Sequence, residues 1–389
     1  PEQNNMKFLL IYVPNLRFPY KGDWHKRKLN EICLFFKGNG LSKSDLSNEG
    51  FPCILYGELY TTYKNEVISD IVSKTTTALS NPFLSKNNDL IIPGSGEDSI
   101  DIAVARAIYQ NDIILGGDLN VLRPKSNVSA AFLSYQLNGV RRYDIAKKAQ
   151  GKSIVHLHNS DLKEVCVSIP TYDEQLHIVK LLTKIDEMIE TQSKIIDTLL
   201  SEMNSIRSLI FNNSSLNWIP LKDIVAEQNI KLKRGKVIPK HKKNLKYIYP
   251  VYSSSITNSG LMGYSDSYMF NQELITWSID GGGNFFYRKK HKFNITNVSG
   301  YMILNENLFD YQFIVQSLIW QHEKLKFDYQ TKAHPSVVES LYKIPIMDIE
   351  EQLKYACLFS NLNKKHELEL HILNLLNMQK KYLLKNMFA

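Results

Sequence analysis

Ile169-Pro170-Thr171-Tyr172-Asp173-Glu174-Gln175-Leu176 is echoed later in the chain by Ile344-Pro345-Ile346-Met347-Asp348-Ile349-Glu350-Glu351-Gln352-Leu353. Counted from the glutamine, the second copy lies 177 residues on (352 less 175), and the same offset carries Phe211 onto Phe388 without a gap. A register held for about 36 residues marks an internal duplication, and each copy is preceded by roughly 150 residues that begin alike. Those beginnings are Trp24 with Leu29-Asn30-Glu31-Ile32, and Trp218 with Leu221-Lys222-Asp223-Ile224. The order is domain, helix, domain, helix.

Beyond each glutamine the apolar residues take a helical period. Ile178, Leu182, Ile185, Ile189, Gln192, Ile196, Leu199, Met203, Ile206 and Ile210 follow alternating steps of four and three, the seam of a coiled coil. The offset gives a second stripe of Tyr355, Phe359, Leu362, His366, Glu369, Leu373, Leu376, Lys380, Leu383 and Met387, polar at three places. Polar seam residues either fix register, with Gln192 and Glu369 on equivalent layers, or face water or another subunit. Thr171 before Glu174 and Asp348 before Glu351 have the spacing of capping boxes, and Pro170 and Pro345 discourage an earlier start. Asp186-Glu187 reads as a solvated face of the first helix. About 36 residues at 1.5 Å each make a rod of roughly 54 Å. Paired antiparallel, two such rods relate the repeats by an approximate two-fold axis and suit binding sites about one duplex turn apart, roughly 34–36 Å.

The expected class is therefore α+β: two similar mixed α/β domains alternating with two long helices that pair as an antiparallel coiled coil. The boundaries fall at 1–168, 169–212, 213–343 and 344–389. Short β-favouring runs, Cys53–Tyr56, Leu90–Ile92, Asp112–Leu115 and Leu119–Leu122, are broken by Gly, Pro and Asn, while Ala130–Asn138 and Tyr311–Lys326 have helical composition. Asp89-Leu90-Ile91-Ile92 is matched by Glu273-Leu274-Ile275-Thr276.

At 389 residues and 43% hydrophobic, the chain can build more than one core. Lysine and arginine outnumber acids 47 to 39, for a net +8, a balance that favours polyanionic partners. Basic residues mix with aromatics and hydroxyls in Arg141-Arg142-Tyr143, in Lys147-Lys148-Ala149-Gln150-Gly151-Lys152-Ser153 and in Tyr287-Arg288-Lys289-Lys290. The window from Lys231 to Lys246, which contains Lys233, Arg234 and Lys236, holds eight basic residues and no acid. Tyr56, Tyr60, Thr61, Thr62 and Lys64 follow one strand, and Tyr252, Ser253 and Ser254 follow another. Gln330 and Lys332 occupy a place before the second helix like that of Gln150 and Lys152 before the first. Lysine and arginine anchor phosphates, while Gln, Asn, Ser, Thr, Tyr and Arg read base edges. A solvated basic loop is the alternative for any one cluster.

Catalytic signatures are missing. The sequence has no GxxxxGK[ST] and no GxGxxG. Asn81-Pro82-Phe83 lacks the second proline of an amino-methyltransferase motif and reads as a turn, as does Gly281-Gly282-Gly283-Asn284. Cys33, Cys53, Cys166 and Cys357 are scattered without zinc spacing and suit a reducing cytosol, and His156 and His158 have no third ligand. The apolar run 8–13 is too short for a membrane span and lacks the flanks of a signal peptide, so a soluble cytoplasmic protein is expected.

In this order, the opening Val13-Pro14-Asn15-Leu16-Arg17-Phe18-Pro19…Trp24…Leu29, the passage Gly151-Lys152-Ser153…Ile169-Pro170…Glu174-Gln175 and its second version at Ile344-Pro345…Glu351-Gln352 resemble the specificity subunits of type I restriction-modification systems over essentially the whole chain. The resemblance implies a non-catalytic subunit in which each domain reads one half of a bipartite double-stranded DNA target. It also implies two methylation subunits that bind S-adenosylmethionine, and restriction subunits that use ATP and Mg2+. One departure is the single proline before each Glu-Gln. Another is the polar second stripe. A basic coiled-coil adaptor without sequence preference is the other reading.

Overall fold

The computed structural model describes residues 14–20, 22–255, 257–280, 282–325 and 332–388. The apolar run 8–13, Gly281 and Gln330 lie outside the described residues. Contacts divide the chain into two units: residues 1–192 with 372–389, and residues 193–371. The division passes through both long helices, Tyr172–Phe211 and Ile349–Asn386, so each unit holds the end of one helix and the start of the other.

In the first unit five strands lie in the spatial order Cys33–Lys37, Leu119–Pro124, Asp89–Pro93, Arg106–Ile108 and Val67–Ile68. In the second the order is Ile230–Arg234, Ser299–Leu304, Phe270–Ser278, Phe285–Ile295, Tyr249–Tyr252 and Leu261–Ser265. The first three pairings are antiparallel in both sheets. The β-favouring runs form strands where they can be buried on both faces, as Leu90, Ile91 and Ile92 are. The helix Ala130–Asn138 covers the first sheet and Tyr311–Lys324 the second.

The likeness reaches single hydrogen bonds. His25–Lys28 pairs with Cys166–Ile169, and Asn217–Pro220 with Lys343–Ile346. Directly after them the Leu29 amide donates to Val165 O at 3.0 Å and the Leu221 amide to Tyr342 O at 2.9 Å. Cys53–Ile54 runs parallel to Ile114–Leu115 as Val251–Tyr252 runs parallel to Asn294–Ile295, and the amides of Gly116 and Thr296 then bond the carbonyls of Ile54 and Tyr252, each at 2.9 Å. Gly38 and Gly235 occupy one equivalent crossing. A Cβ on Gly38 would lie 2.1 Å from Gly116 O, and one on Gly235 would lie 2.1 Å from Ile295 O. Gly235→Ala is therefore expected to cost about 1–3 kcal/mol through forced backbone movement, read as a lower midpoint in denaturant unfolding.

The helical seam is buried as the period requires. In the first unit Ile178, Leu182 and Ile185 pack with Leu383, Met387 and Phe388, with Ile189 partly buried against them. In the second, Ile206, Ile210 and Phe211 pack with Tyr355, Phe359 and Leu362. Start meets end in each unit, so the helices pair antiparallel. Ile196, Leu199, Met203 and Leu376 are also buried, and Leu373 is half-buried.

Two local readings change. The Glu174 amide donates to Thr171 Oγ1 at 3.4 Å, but its carboxylate turns to Arg17 (2.7 and 2.8 Å) and to Trp24 Nε1 (3.2 Å) rather than closing a capping box. Asp186 is buried, not solvated: it accepts from the Tyr135 hydroxyl at 2.7 Å and contacts Lys380 Nζ at 2.6 Å.

Candidate nucleic-acid interface

The strands Phe51–Ile54 and Tyr249–Tyr252 are equivalent, and the segments that directly follow them differ. After the first, the chain turns into the short helix Glu58–Thr61. Tyr56, Thr61 and Thr62 line a depression of about 720 Å³ with Ser42, Lys43, Glu58 and Asp118. Thr61 and Thr62 are exposed, although Thr61 Oγ1 donates to Gly57 O at 2.9 Å. Tyr60 differs: the residue is half-buried and its hydroxyl lies near Gly57 and Gly96. Lys64 is exposed.

The remaining candidates of the first unit fall in two places. Arg142 spends its guanidinium on the scaffold, donating from Nε and Nη2 to Ile100 O at 3.3 and 3.0 Å, and Arg141 pairs with Asp144 at 3.6 Å. Lys147 is exposed and Lys148 half-buried. Gln150, Lys152 and Ser153 are exposed on a tight hairpin whose strand Val155–His156 pairs with Ser95–Gly96. Gly151 in that hairpin has φ +134° and its Cβ position lies 2.0 Å from Ile154 O, so only glycine fits. His156 Nδ1 lies 3.0 Å from Ser95 Oγ, which donates to Asp118 at 3.1 Å. The serine stands between histidine and acid, an order that fastens the hairpin but is not a nucleophile–base–acid relay.

In the second unit the loop after Tyr252 is of another kind. Ser253 and Ser254 are half-buried: Ser253 Oγ accepts from Thr296 Oγ1 at 3.0 Å, and Ser254 O from Ser278 Oγ at 2.8 Å. The Arg288 guanidinium stacks on the Tyr252 ring at 3.8 Å and its Nε donates to Thr276 Oγ1 at 3.0 Å. Burial pulls the Arg288 pKa down to about 10. Its neighbours Lys289 and Lys290 are exposed. Lys233 and Lys236 are exposed beside Arg234, whose Nη2 donates to Asn297 O at 2.8 Å, and Lys332 pairs with Asp280 at 3.4 Å. Sequence reading did not single out Lys243 and Lys292, which lie over Tyr264 (5.5 Å) and Tyr268 (4.9 Å).

The structure thus brings Tyr252, Ser253, Ser254 and Arg288 together, and groups Tyr56, Thr61 and Thr62. It sets Arg141 and Arg142 apart on the helix region 141–146. Among the described residues no cluster of three or more metal-ligating side chains occurs, and no helix is long and apolar enough to cross a membrane.

A duplicated framework with unlike loops after an equivalent strand end makes this a protein of two similar domains. Sequence comparison specifies it further. The pattern of the family described as "Type I restriction modification DNA specificity domain" matches residues 21–201 and again 218–378. The chain belongs to that family. A protein of Mycoplasma pneumoniae named as a type I specificity subunit, S.MpnORF285P, is 30% identical over 170 residues, 40% of this chain and 51% of its own length. The type I restriction enzyme MpnII specificity subunit of the same organism is 26% identical over 163 residues, 40% of this chain and 47% of its own. The chain spans about half the length of these relatives. The crystal structure of a type I restriction-modification S subunit from M. genitalium has the same fold, with a TM-score of 0.69 at 18% identity over 97% of this chain and 99% of that one.

Proposed function

We propose that the chain is the sequence-reading, non-catalytic subunit of a type I restriction-modification complex. In this reading each domain, 1–168 and 213–343, reads one half of a split double-stranded DNA target. The helices, 169–212 and 344–389, join the readers. The observation that carries it is the doubled framework, in which the segments after the equivalent strand ends at Ile54 and Tyr252 differ. A scaffold has no need of one fold twice with unlike hydroxyl-rich and basic loops. Two readers of different half-sites do. The exposed lysines, Lys64, Lys147, Lys152, Lys233, Lys236, Lys289 and Lys290, would hold phosphates, while the loop residues would face base edges.

The remaining subunits supply the chemistry in this scheme. Two methylation subunits would bring S-adenosylmethionine to adenine, and restriction subunits would use ATP and Mg2+, all in the cytoplasm. Exchange of residues 24–160 for those of a related subunit, followed by mapping of methylated adenines in cells that hold the methylation subunits, tests the assignment. One half of the target is expected to change and the other to stay. A change in both halves would refute one reader per domain, and an unchanged target would refute DNA reading by the first domain.

A further inference from the structure

Among the described residues three arginines are buried: Arg106, Arg207 and Arg288. Arg106 feels the charge of Glu66, and Arg207 that of Glu323. Among the described residues no carboxylate offsets the burial of Arg288. A buried guanidinium without a counter-charge is costly to fold, and such groups persist where a ligand supplies the missing partner.

Its geometry says what kind of ligand. Nε is fixed on Thr276 Oγ1 at 3.0 Å and the plane is fixed by the Tyr252 ring at 3.8 Å, with Phe286 at 5.0 Å. The two Nη groups have no hydrogen-bond partner among the described residues, and neither is sealed from the surface. Gly260, at φ +80°, would carry a Cβ 3.3 Å from Arg288 Nη2, and Asn258 and Ser259 both sit at φ 49°, a left-handed pair held by the Ser253 amide on Gly260 O at 2.8 Å. Non-glycine residues held in that region cost strain that the surroundings sustain, commonly at a ligand site.

We propose that Arg288 reads a guanine, its two Nη groups donating side by side to the O6 and N7 edge in the major groove. The proposal rests on the DNA-reading function given above. A phosphate anchor needs only a mobile exposed charge, which Lys289, Lys290 and Lys292 provide beside it. A rigid, planar fork whose outer nitrogens have no partner among the described residues matches the paired acceptors of guanine, the commonest specific arginine contact.

The test is selection of random duplexes by the full chain together with its methylation subunits, comparing the unaltered protein with Arg288→Met and Arg288→Lys. Both variants are expected to keep the first half-site and to lose preference for one G·C pair in the second, with affinity for the selected duplex falling roughly 10- to 100-fold. Lysine retains the charge but not the fork, so it keeps the result interpretable if the methionine variant unfolds. A uniform loss on all duplexes with a shallower salt dependence would make Arg288 a phosphate contact and overturn the proposal, as would unchanged selection by both variants. If the unaltered protein selects no sequence, the function itself fails, an outcome separate from either of these.

Discussion

Lys380→Met is expected to destabilise the protein by about 3–5 kcal/mol at pH 7, the usual result of removing one partner from a buried ion pair. Lys380 lies between Glu66 and Asp186, with Nζ 2.6 Å from a carboxylate oxygen of each, and the three side chains are 16%, 7% and 5% exposed. Burial works against its ammonium, but the attraction of the two carboxylates outweighs it and raises the pKa above 10.5. Burial also raises the Asp186 pKa, against the pull of Lys380. Methionine would leave two carboxylates facing each other in a dry site. The sign of the pH effect follows. In the unaltered protein the Lys380 contribution is complete below pH 10.5 and is lost as pH rises through the higher folded value. In the variant the unpaired carboxylates are easier to bury when protonated, so the loss shrinks from pH 7 towards pH 5. Urea unfolding at both pH values checks this, and a loss under about 1 kcal/mol at pH 7 would contradict it.

The repeat supplies the control. At the offset of 177, Met203 stands where Lys380 does and Asn363 where Asp186 does. The triple change Lys380→Met, Asp186→Asn, Glu66→Gln removes the charges together, and most of the lost stability is expected to return. The second unit has its own polar fastening on the other helix: Arg207 Nε donates to Gln316 Oε1 at 2.8 Å and its Nη1 lies 3.7 Å from Glu323. Each end of the helix pair thus carries a different polar key, a way to oppose alternative registers.

These keys show where sequence reading stops. The four-and-three step made the seam legible because burial follows the helical period, and Ile178, Leu182, Ile196 and Leu199 lie where it put them. Lys380 read as a flaw in that seam because its partner Glu66 is 314 residues away, and no local pattern reports such a pairing. Arg288 was legible as part of the basic run Tyr287–Lys290 but not as the buried member. The run lies on the strand Phe285–Ile295, where Arg288 is buried while Lys289 and Lys290 are exposed. The loops after Ile54 and Tyr252 were found through their hydroxyls, while their equivalence rests on two short parallel pairings that composition does not encode.

Gln175→Leu, and separately Gln352→Leu, should each cost about 3–5 kcal/mol, since three main-chain groups lose a partner at about 1–3 kcal/mol apiece and rescue by water is partial. Both side chains are fully buried. Gln175 Oε1 accepts from the Ser129 amide at 2.9 Å, while its Nε2 donates to Asn127 O (3.2 Å) and Pro170 O (3.1 Å). Gln352 repeats this on the Asp310 amide (2.9 Å), Leu308 O and Met347 O (both 2.8 Å). Ser129 and Asp310 are the N-caps of the helices Ala130–Asn138 and Tyr311–Lys324. One glutamine therefore ties the first turn of a long helix to the first turn of the helix that covers its sheet. That accounts for the glutamine common to both copies. The neighbouring glutamates have parted: Glu174 is buried on Arg17, whereas Glu351 is exposed. If the glutamine is the shared joint, Glu351→Ala should change stability by less than about 0.5 kcal/mol, the range of plain surface positions, while Gln352→Leu unfolds the second unit at markedly lower denaturant. Equal effects from the two variants would transfer the role from the glutamine to the helix start as a whole.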